Sequence, residues 1–155
     1  MRLSTRSRYG VRALFDMAYN SGTHSVQIKD ISRRQDISPR YLEQIFQNFK
    51  KAGILKSIRG PEGGYFLART PDQITLREII EAAEGDVLIV GCLNSGKGEK
   101  VACIFDTNCA TQLVWQEATE LLYDYFTKTT LKTICEKAQA LGIKREFDHS
   151  YTYYI

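Results

Sequence analysis

Histidine, cysteine and long apolar runs are all scarce in this 155-residue sequence, and each scarcity removes a class of function. No stretch approaches the roughly 18 uninterrupted apolar residues of a membrane span. The first thirty residues alternate basic with apolar positions instead of forming a signal peptide, so a cytoplasmic location is the expectation. The two histidines, His24 and His149, are isolated, and neither a Ser/His/Asp arrangement nor a phosphate-binding loop accompanies them; the chain is not expected to be an enzyme. Four cysteines are too few for a disulfide framework at this length. The lack of any Cys-x-x-Cys pair speaks against a zinc ribbon or finger. Neither an internal repeat nor a low-complexity tract is present. What remains, 43% apolar and 25% charged, suits one globular domain with a buried core and one appended element.

Charge is divided along the chain. Residues 1–69 hold 13 Lys/Arg and 5 Asp/Glu, whereas residues 70–155 hold 8 and 13, so the formal net charge of +3 conceals halves of +8 and −5. A basic N-terminal half points to a polyanionic partner, because Lys and Arg that neutralise phosphates release condensed counterions. Nucleic acid is the leading candidate, and a solvated basic face is the plain alternative.

The spacing of residues favours the first. Ser4 or Thr5 can cap a helix with Val11, Leu14, Phe15, Ala18 and Tyr19 on its apolar face, ending near Gly22, with Arg6, Arg8 and Arg12 on the other face. A short helix over Ile28 to Arg34 and a sharp turn at Gln35 to Ile37 lead to a strong helix start. There Ser38 is the N-cap, Pro39 the first helical residue, and Ile37 is placed to staple onto Leu42. Leu42, Ile45, Phe46 and Phe49 form the apolar stripe, and Gly53 stops the helix. On its opposite face Arg40, Glu43, Gln44 and Gln47 form a polar stripe able to reach base edges. Two short helices joined by a tight turn, the second polar and forward-facing, read as a helix-turn-helix.

Strand-like segments Ile54 to Arg59 and Tyr65 to Arg69 then flank Gly60-Pro61-Glu62-Gly63-Gly64, a hairpin tip that reads as a wing. Arg59 at its mouth suits a narrow minor groove, whose negative potential attracts guanidinium groups. The fold class expected is mostly α with a small β-wing: a winged helix-turn-helix DNA-binding domain over 1–85, followed by a long dimerisation helix. Thr75 and Glu78 form a capping box on a helix that turns Leu76, Ile79, Ile80 and Ala83 inward and closes at Gly85. A loop occupies 86–110, and 111–145 holds the long helix and a last one, Leu131 to Leu141. Leu113, Val114, Ala118, Leu121, Leu122, Tyr125 and Phe126 make the long helix too apolar to stand alone. Packing on its own copy would give a C2 dimer with two reading helices; folding back on its own domain is the alternative. The tyrosine-rich tail 146–155 is expected to be disordered.

Cys135 lies beside Leu131, Ile134 and Ala138 and reads as core. Cys92, Cys103 and Cys109 fall in the glycine-containing loop, which can wrap an inorganic centre; thiolates in that setting favour zinc or an iron-sulfur cluster.

Three motifs carry a family resemblance over nearly the whole chain. They are Met-Arg-Leu-Ser-Thr-Arg-Ser-Arg-Tyr-Gly (1–10), Ile-Ser-Pro-Arg-Tyr-Leu-Glu-Gln-Ile-Phe (37–46) and Arg-Gly-Pro-Glu-Gly-Gly-Tyr (59–65). With them the sequence resembles the IscR, NsrR and CymR superfamily of dimeric winged-helix repressors, and the three loop cysteines with Leu113-Val114-Trp115 resemble its cluster-binding, IscR-like branch. The resemblance implies an iron-sulfur cluster on Cys92, Cys103 and Cys109, with 2Fe-2S preferred over 4Fe-4S. It also implies that Ser38, Arg40, Tyr41, Glu43 and Gln44 address the major groove, that Arg59, with Gly60 beside it, enters the minor groove, and that Arg2, Arg6 and Arg8 contact phosphates. Glu43 can accept from a cytosine amino group and would reject a site offering only acceptors.

The sequence departs from the family pattern in places. Gln112 replaces the histidine that IscR-type proteins have three residues after the last cysteine. Arg8 stands where NsrR-type proteins use an acidic residue near the partner's N-terminus, and arginine cannot ligate. The fourth ligand therefore stays open among Asp106, Asn108, Gln112, His149 and a small exogenous molecule. Glu62 stands where a glycine is usual and would repel phosphate if it faced DNA. Two rival readings accompany the cluster-dependent regulator: a metal-free thiol switch on the same DNA-binding frame, and an iron-sulfur electron carrier docking an acidic partner.

Overall fold

Among the described residues, which are 3–60, 63–86, 88–93 and 109–146 of the computed structural model, there are six α-helices and one two-stranded antiparallel sheet. Helix α1, Thr5–Asp16, starts at Ser4, whose hydroxyl accepts from the Arg6 N–H at 3.1 Å. The Ser4 N–H itself donates to the Glu84 carboxylate at 2.7 Å, so a later helix anchors the start of the first. The helix continues into a wider π-turn, Met17–Ser21, which closes at Gly22 with φ +58°.

The inward face of α1 differs from the one the apolar spacing gives. Leu14 and Tyr19 are buried as expected, but Val11, Phe15 and Ala18 are only partly covered, while Ser7, Gly10, Ala13, Asp16 and Met17 point inward. Two causes operate. Gly10 has no side chain to hold α3 away, and Asp16 is buried because it has a cationic partner, described below.

Helix α2, Ile28–Gln35, ends at Asp36 in the left-handed conformation, φ +51°, which makes the tight turn. Helix α3, Pro39–Lys51, begins as read from sequence: Ser38 Oγ accepts from the Tyr41 N–H at 3.3 Å, and Leu42, Ile45, Phe46 and Phe49 are buried. It ends in a Schellman motif, where Gly53 at φ +70° lets its N–H reach Lys50 O at 3.1 Å and the Ile54 N–H reach Phe49 O at 2.9 Å.

Strands β1, Leu55–Ile58, and β2, Gly64–Leu67, pair antiparallel with Leu55 opposite Leu67 and Ile58 opposite Gly64. Val26, just before α2, adds a third short rung by exchanging two 2.8 Å hydrogen bonds with Tyr65. A β-carbon on Gly64 would lie 2.6 Å from Val26 O, so only glycine permits that approach.

Helix α4, Leu76–Glu84, carries the expected capping box: Thr75 Oγ1 accepts from the Glu78 N–H at 3.2 Å, and the Glu78 carboxylate accepts from the Thr75 N–H at 2.9 Å. Ile79, Ile80 and Ala83 are buried and Leu76 partly so. Helix α6, Leu131–Ala140, has a second capping box at Thr130, and the two helix starts are tied by Leu76 N–H to Thr129 O at 2.7 Å and Leu131 N–H to Ile74 O at 3.0 Å. Cys135 on α6 is half-buried and not a core residue, because the α6 positions that go inward are Leu131 and Ala138. Burial still pushes its thiol above the ordinary range.

Helix α5, Ala110–Lys128, packs on the domain through its C-terminal half and leaves much of its apolar face open. Its buried residues are Thr119 and Phe126, whereas Leu121 is 73% and Leu113 62% exposed, with Val114, Trp115 and Tyr125 also exposed. Phe126, Leu122 and Tyr123 hold its C-terminal half against Ile80 and Leu76 of α4. The chain after α6 is tied back as far as Glu146, by Tyr19 Oη to Ile143 O at 2.6 Å and the Glu146 N–H to Asn20 Oδ1 at 2.9 Å. The tail reading at 146–155 therefore does not hold for Glu146; the rest of that segment lies outside the described residues. No described helix is long and apolar enough to cross a membrane.

Candidate nucleic-acid interface and cysteine loop

The amphipathic register of α3 decides what it offers outward. With Leu42, Ile45, Phe46 and Phe49 committed to the core, Arg40, Glu43, Gln44 and Gln47 are left exposed on one stripe. Ser38 is exposed at the front of the helix. Tyr41 is half-buried: its ring meets Tyr9 of α1 edge-on, with centroids 5.8 Å apart. Arg6 and Arg8 are exposed on α1.

Between α2, α3 and the wing lies an open groove of about 600 Å³, lined by Lys29, Glu43, Lys50, Ser57, Arg59 and Gly60 among others. Lys50 near the end of α3 donates to Ser57 Oγ on β1 at 2.7 Å, tying the helix to the wing across the groove. Gly60 has φ +125°, so the turn into the wing tip needs a glycine there. A β-carbon on Gly63 would lie 2.6 Å from Ile58 O, a second close approach in the same hairpin. Three cations and one carboxylate thus share one open concave surface, a composition that attracts polyanions. Arg2 and Glu62 lie outside the described residues.

Several residues that organise this surface carried no signal in the sequence reading. Asp16 is 0% exposed and Arg34 is almost as buried; the guanidinium donates to both carboxylate oxygens, at 3.0 Å from Nε and 2.8 Å from Nη2. Asn20 and Gln35 donate to the same carboxylate at 3.0 and 2.9 Å. Only a charged residue at an inward helical position, between Phe15 and Met17, could have hinted at this pair. Its partner is not an i, i+4 neighbour, so local spacing is silent.

Cys92 is exposed in a short 3₁₀ turn, Gly91–Leu93, which packs against α5. Cys109 is the N-cap residue of α5. A hydrogen bond with the Thr111 hydroxyl at 3.1 Å and N–H groups of the first turn lower its pKa, which favours the thiolate. Gln112 sits in that first turn and is partly covered, its N–H donating to Cys109 O at 3.0 Å. Cys103, Asp106, Asn108 and His149 lie outside the described residues. The described His, Cys, Asp and Glu residues alone contain no group of three able to hold a metal ion.

A helix-turn-helix whose second helix exposes a polar stripe, flanked by a wing and a cationic groove, defines a winged-helix DNA-binding protein. Residues 3–137 match the Rrf2 family model, described as "Iron-dependent Transcriptional regulator". The chain belongs to the Rrf2 family of transcriptional regulators. It is 37% identical over 150 residues to the HTH-type transcriptional regulator IscR of Klebsiella pneumoniae (strain 342), covering 96% of this chain and 89% of that one. Among solved structures it is similar to the global cysteine regulator CymR of B. subtilis, with a TM-score of 0.74 at 29% identity, covering 88% of this chain and 98% of that one. It is likewise similar to T. potens IscR, with a TM-score of 0.73 at 32% identity, covering 99% and 97%.

Proposed function

We propose that this protein is a homodimeric transcriptional repressor whose operator binding depends on an iron-sulfur cluster held by Cys92, Cys103 and Cys109, and that it senses cluster, iron or redox status. The observation that carries the cluster is the placement of Cys109. A thiol at a helix start, 3.1 Å from the Thr111 hydroxyl and beside the N–H groups of the first turn, is favoured in the anionic form that binds iron. The turn bearing Cys92 packs on the same helix, which supports the two thiols serving one centre together with Cys103. When bound, such a cluster supplies a redox-sensitive link between the wing domain and α5. The 2Fe-2S form is the preferred reading. Gln112, the only fourth-ligand candidate among the described residues, is a weak iron donor; a labile cluster suits a sensor.

On DNA, Ser38, Arg40, Tyr41, Glu43 and Gln44 address the major groove, Arg59 and Gly60 the minor groove, and Arg2, Arg6 and Arg8 the phosphates. Glu43 accepts from a cytosine amino group and so discriminates between operators. The exposed apolar residues of α5 support the dimer. Exposed Val114, Leu121 and Tyr125, with partly covered Ala118 between the first two, are spaced four, three and four residues apart, which suits the seam of a helix pairing with its copy.

The test is an anaerobic preparation analysed for iron, sulfide and its visible spectrum. The wild type is expected to hold about two irons per protomer with thiolate-to-iron charge-transfer bands, both lost in Cys103→Ala. Equal iron in the two proteins would remove the cluster. The same thiolate character of Cys109 also favours a metal-free thiol switch; disulfide formation under oxidant, with no iron at any stage, would select that reading.

A further inference from the structure

Arg12 belongs by position to the exposed basic face of α1, yet its guanidinium is engaged by the protein's own groups at the surface. Nη2 donates to the backbone carbonyl of Gln35, and Nε to the Gln35 side-chain oxygen at 3.3 Å. Gln35 is the last residue of α2, next to the left-handed Asp36 that makes the turn into α3. The Gln35 side chain also donates to buried Asp16, so it is held from both sides. The same guanidinium lies 5.5 Å from the centroid of the Tyr9 ring, and Tyr9 meets Tyr41 of α3 edge-on.

We infer that Arg12, Gln35 and Asp16 form a clamp that fixes the angle at which α3 is presented, and that Arg12 is a positioning residue and not a phosphate contact. The turn before α3 and the ring that props its first helical turn both lean on one planar cation. Guanidinium geometry matters here, because a carbonyl, an amide oxygen and a ring face are met simultaneously; an ammonium offers charge without that fork. The Gln35–Asp36 peptide is held at its N–H by the Ser32 carbonyl and at its own carbonyl by Arg12, so losing Arg12 releases one of the two ties that set the relative orientation of α2 and α3. Base contacts depend on that orientation, whereas backbone attraction does not.

The clamp requires only that α3 is the reading helix and is independent of the cysteine loop. The probes are a duplex selected by the wild-type protein from a randomised library and a shuffled duplex of the same composition, each titrated over a range of salt. Arg12→Lys and Arg12→Gln are both expected to lose selectivity between the two by about tenfold, the scale of one lost base contact, with affinity for the shuffled duplex and its salt slope unchanged. Gln35→Met, which leaves the surface charge as it is, is expected to lose selectivity in the same way. If Arg12 contacts phosphate instead, Arg12→Lys will bind like the wild type, and Arg12→Gln will weaken both duplexes equally and reduce the salt slope by about one. That result overturns the clamp. Arg40→Ala separates the two failures: if it leaves selectivity intact, α3 is not the reading helix and the DNA reading itself is at fault.

Discussion

Gly10 of α1 faces Phe49 of α3 so closely that a β-carbon at position 10 would stand 2.7 Å from Phe49 Cζ and 3.3 Å from Cε2. Phe49 is fully buried, so its ring can yield only by disturbing the core around it. The absent side chain sets how near α1 can approach α3. Gly10→Ala gains helix propensity worth about 1 kcal/mol but forces an overpacked contact costing about 1–3 kcal/mol. A net loss of stability is expected, read in urea as a lower midpoint with an unchanged m-value.

Gly64 plays the same part in the wing. Its neighbour is backbone, the Val26 carbonyl, which cannot turn away as a side chain can. Gly64→Ala should break the Val26–Tyr65 rung and loosen the hairpin from the helices, at a cost of about 1–3 kcal/mol. Hydrogen exchange at the Tyr65 and Val26 amides is expected to accelerate while the amides of α3 stay protected. Unchanged exchange at Tyr65 would show that the rung does not depend on the missing side chain.

Glu78 gives the acid limb of stability a defined sign. Burial alone would raise its carboxyl, but the Thr75 N–H and hydroxyl and the Arg69 guanidinium, 2.9 Å away, hold it below the ordinary glutamate range. A folded value below the unfolded one of about 4.3 means the contribution is complete above that pH and is lost as pH falls through the folded value. Glu78→Gln keeps the cap but loses the ion pair, which is partly solvent-screened and so worth less than about 1 kcal/mol. Thermal melts from pH 3 to pH 7 should therefore converge for the two proteins at the acid end and separate at the neutral end.

Leu121, 73% exposed in the middle of α5, tests the proposed dimer. Leu121→Glu places a charge in the seam, and the mass in sedimentation equilibrium is expected to fall from two protomers to one. Binding to a two-half-site duplex should weaken far more than binding to a half-site. A variant that remains dimeric would move the interface off this helix.

The local elements were largely legible from residues alone because their signals are local. Ser38-Pro39 starts α3, Gly53 ends it, and Thr75 with Glu78 starts α4; each acts within a few residues of itself, so each survives transfer from sequence to structure. The polar stripe of α3 was legible for the same reason, since burying Leu42, Ile45, Phe46 and Phe49 leaves Arg40, Glu43, Gln44 and Gln47 nowhere else to go. The inward face of α1 was not. Apolar spacing assigns it to Val11, Phe15 and Ala18, but the helix turns a glycine and a carboxylate inward because α3 and Arg34 are there to meet them.

Sequence by itself thus determined which segments form helices and which residues of α3 face outward, through capping, turn chemistry and periodicity. Only the tertiary structure decided how those helices are held against one another. Asp16 and Arg34 stand 18 residues apart, Val26 and Tyr65 further still, and Ser4 is tied to Glu84 on another helix. Contacts of that separation have no local signature: a buried carboxylate is stable only once its guanidinium arrives, and a glycine is required only once another backbone approaches it.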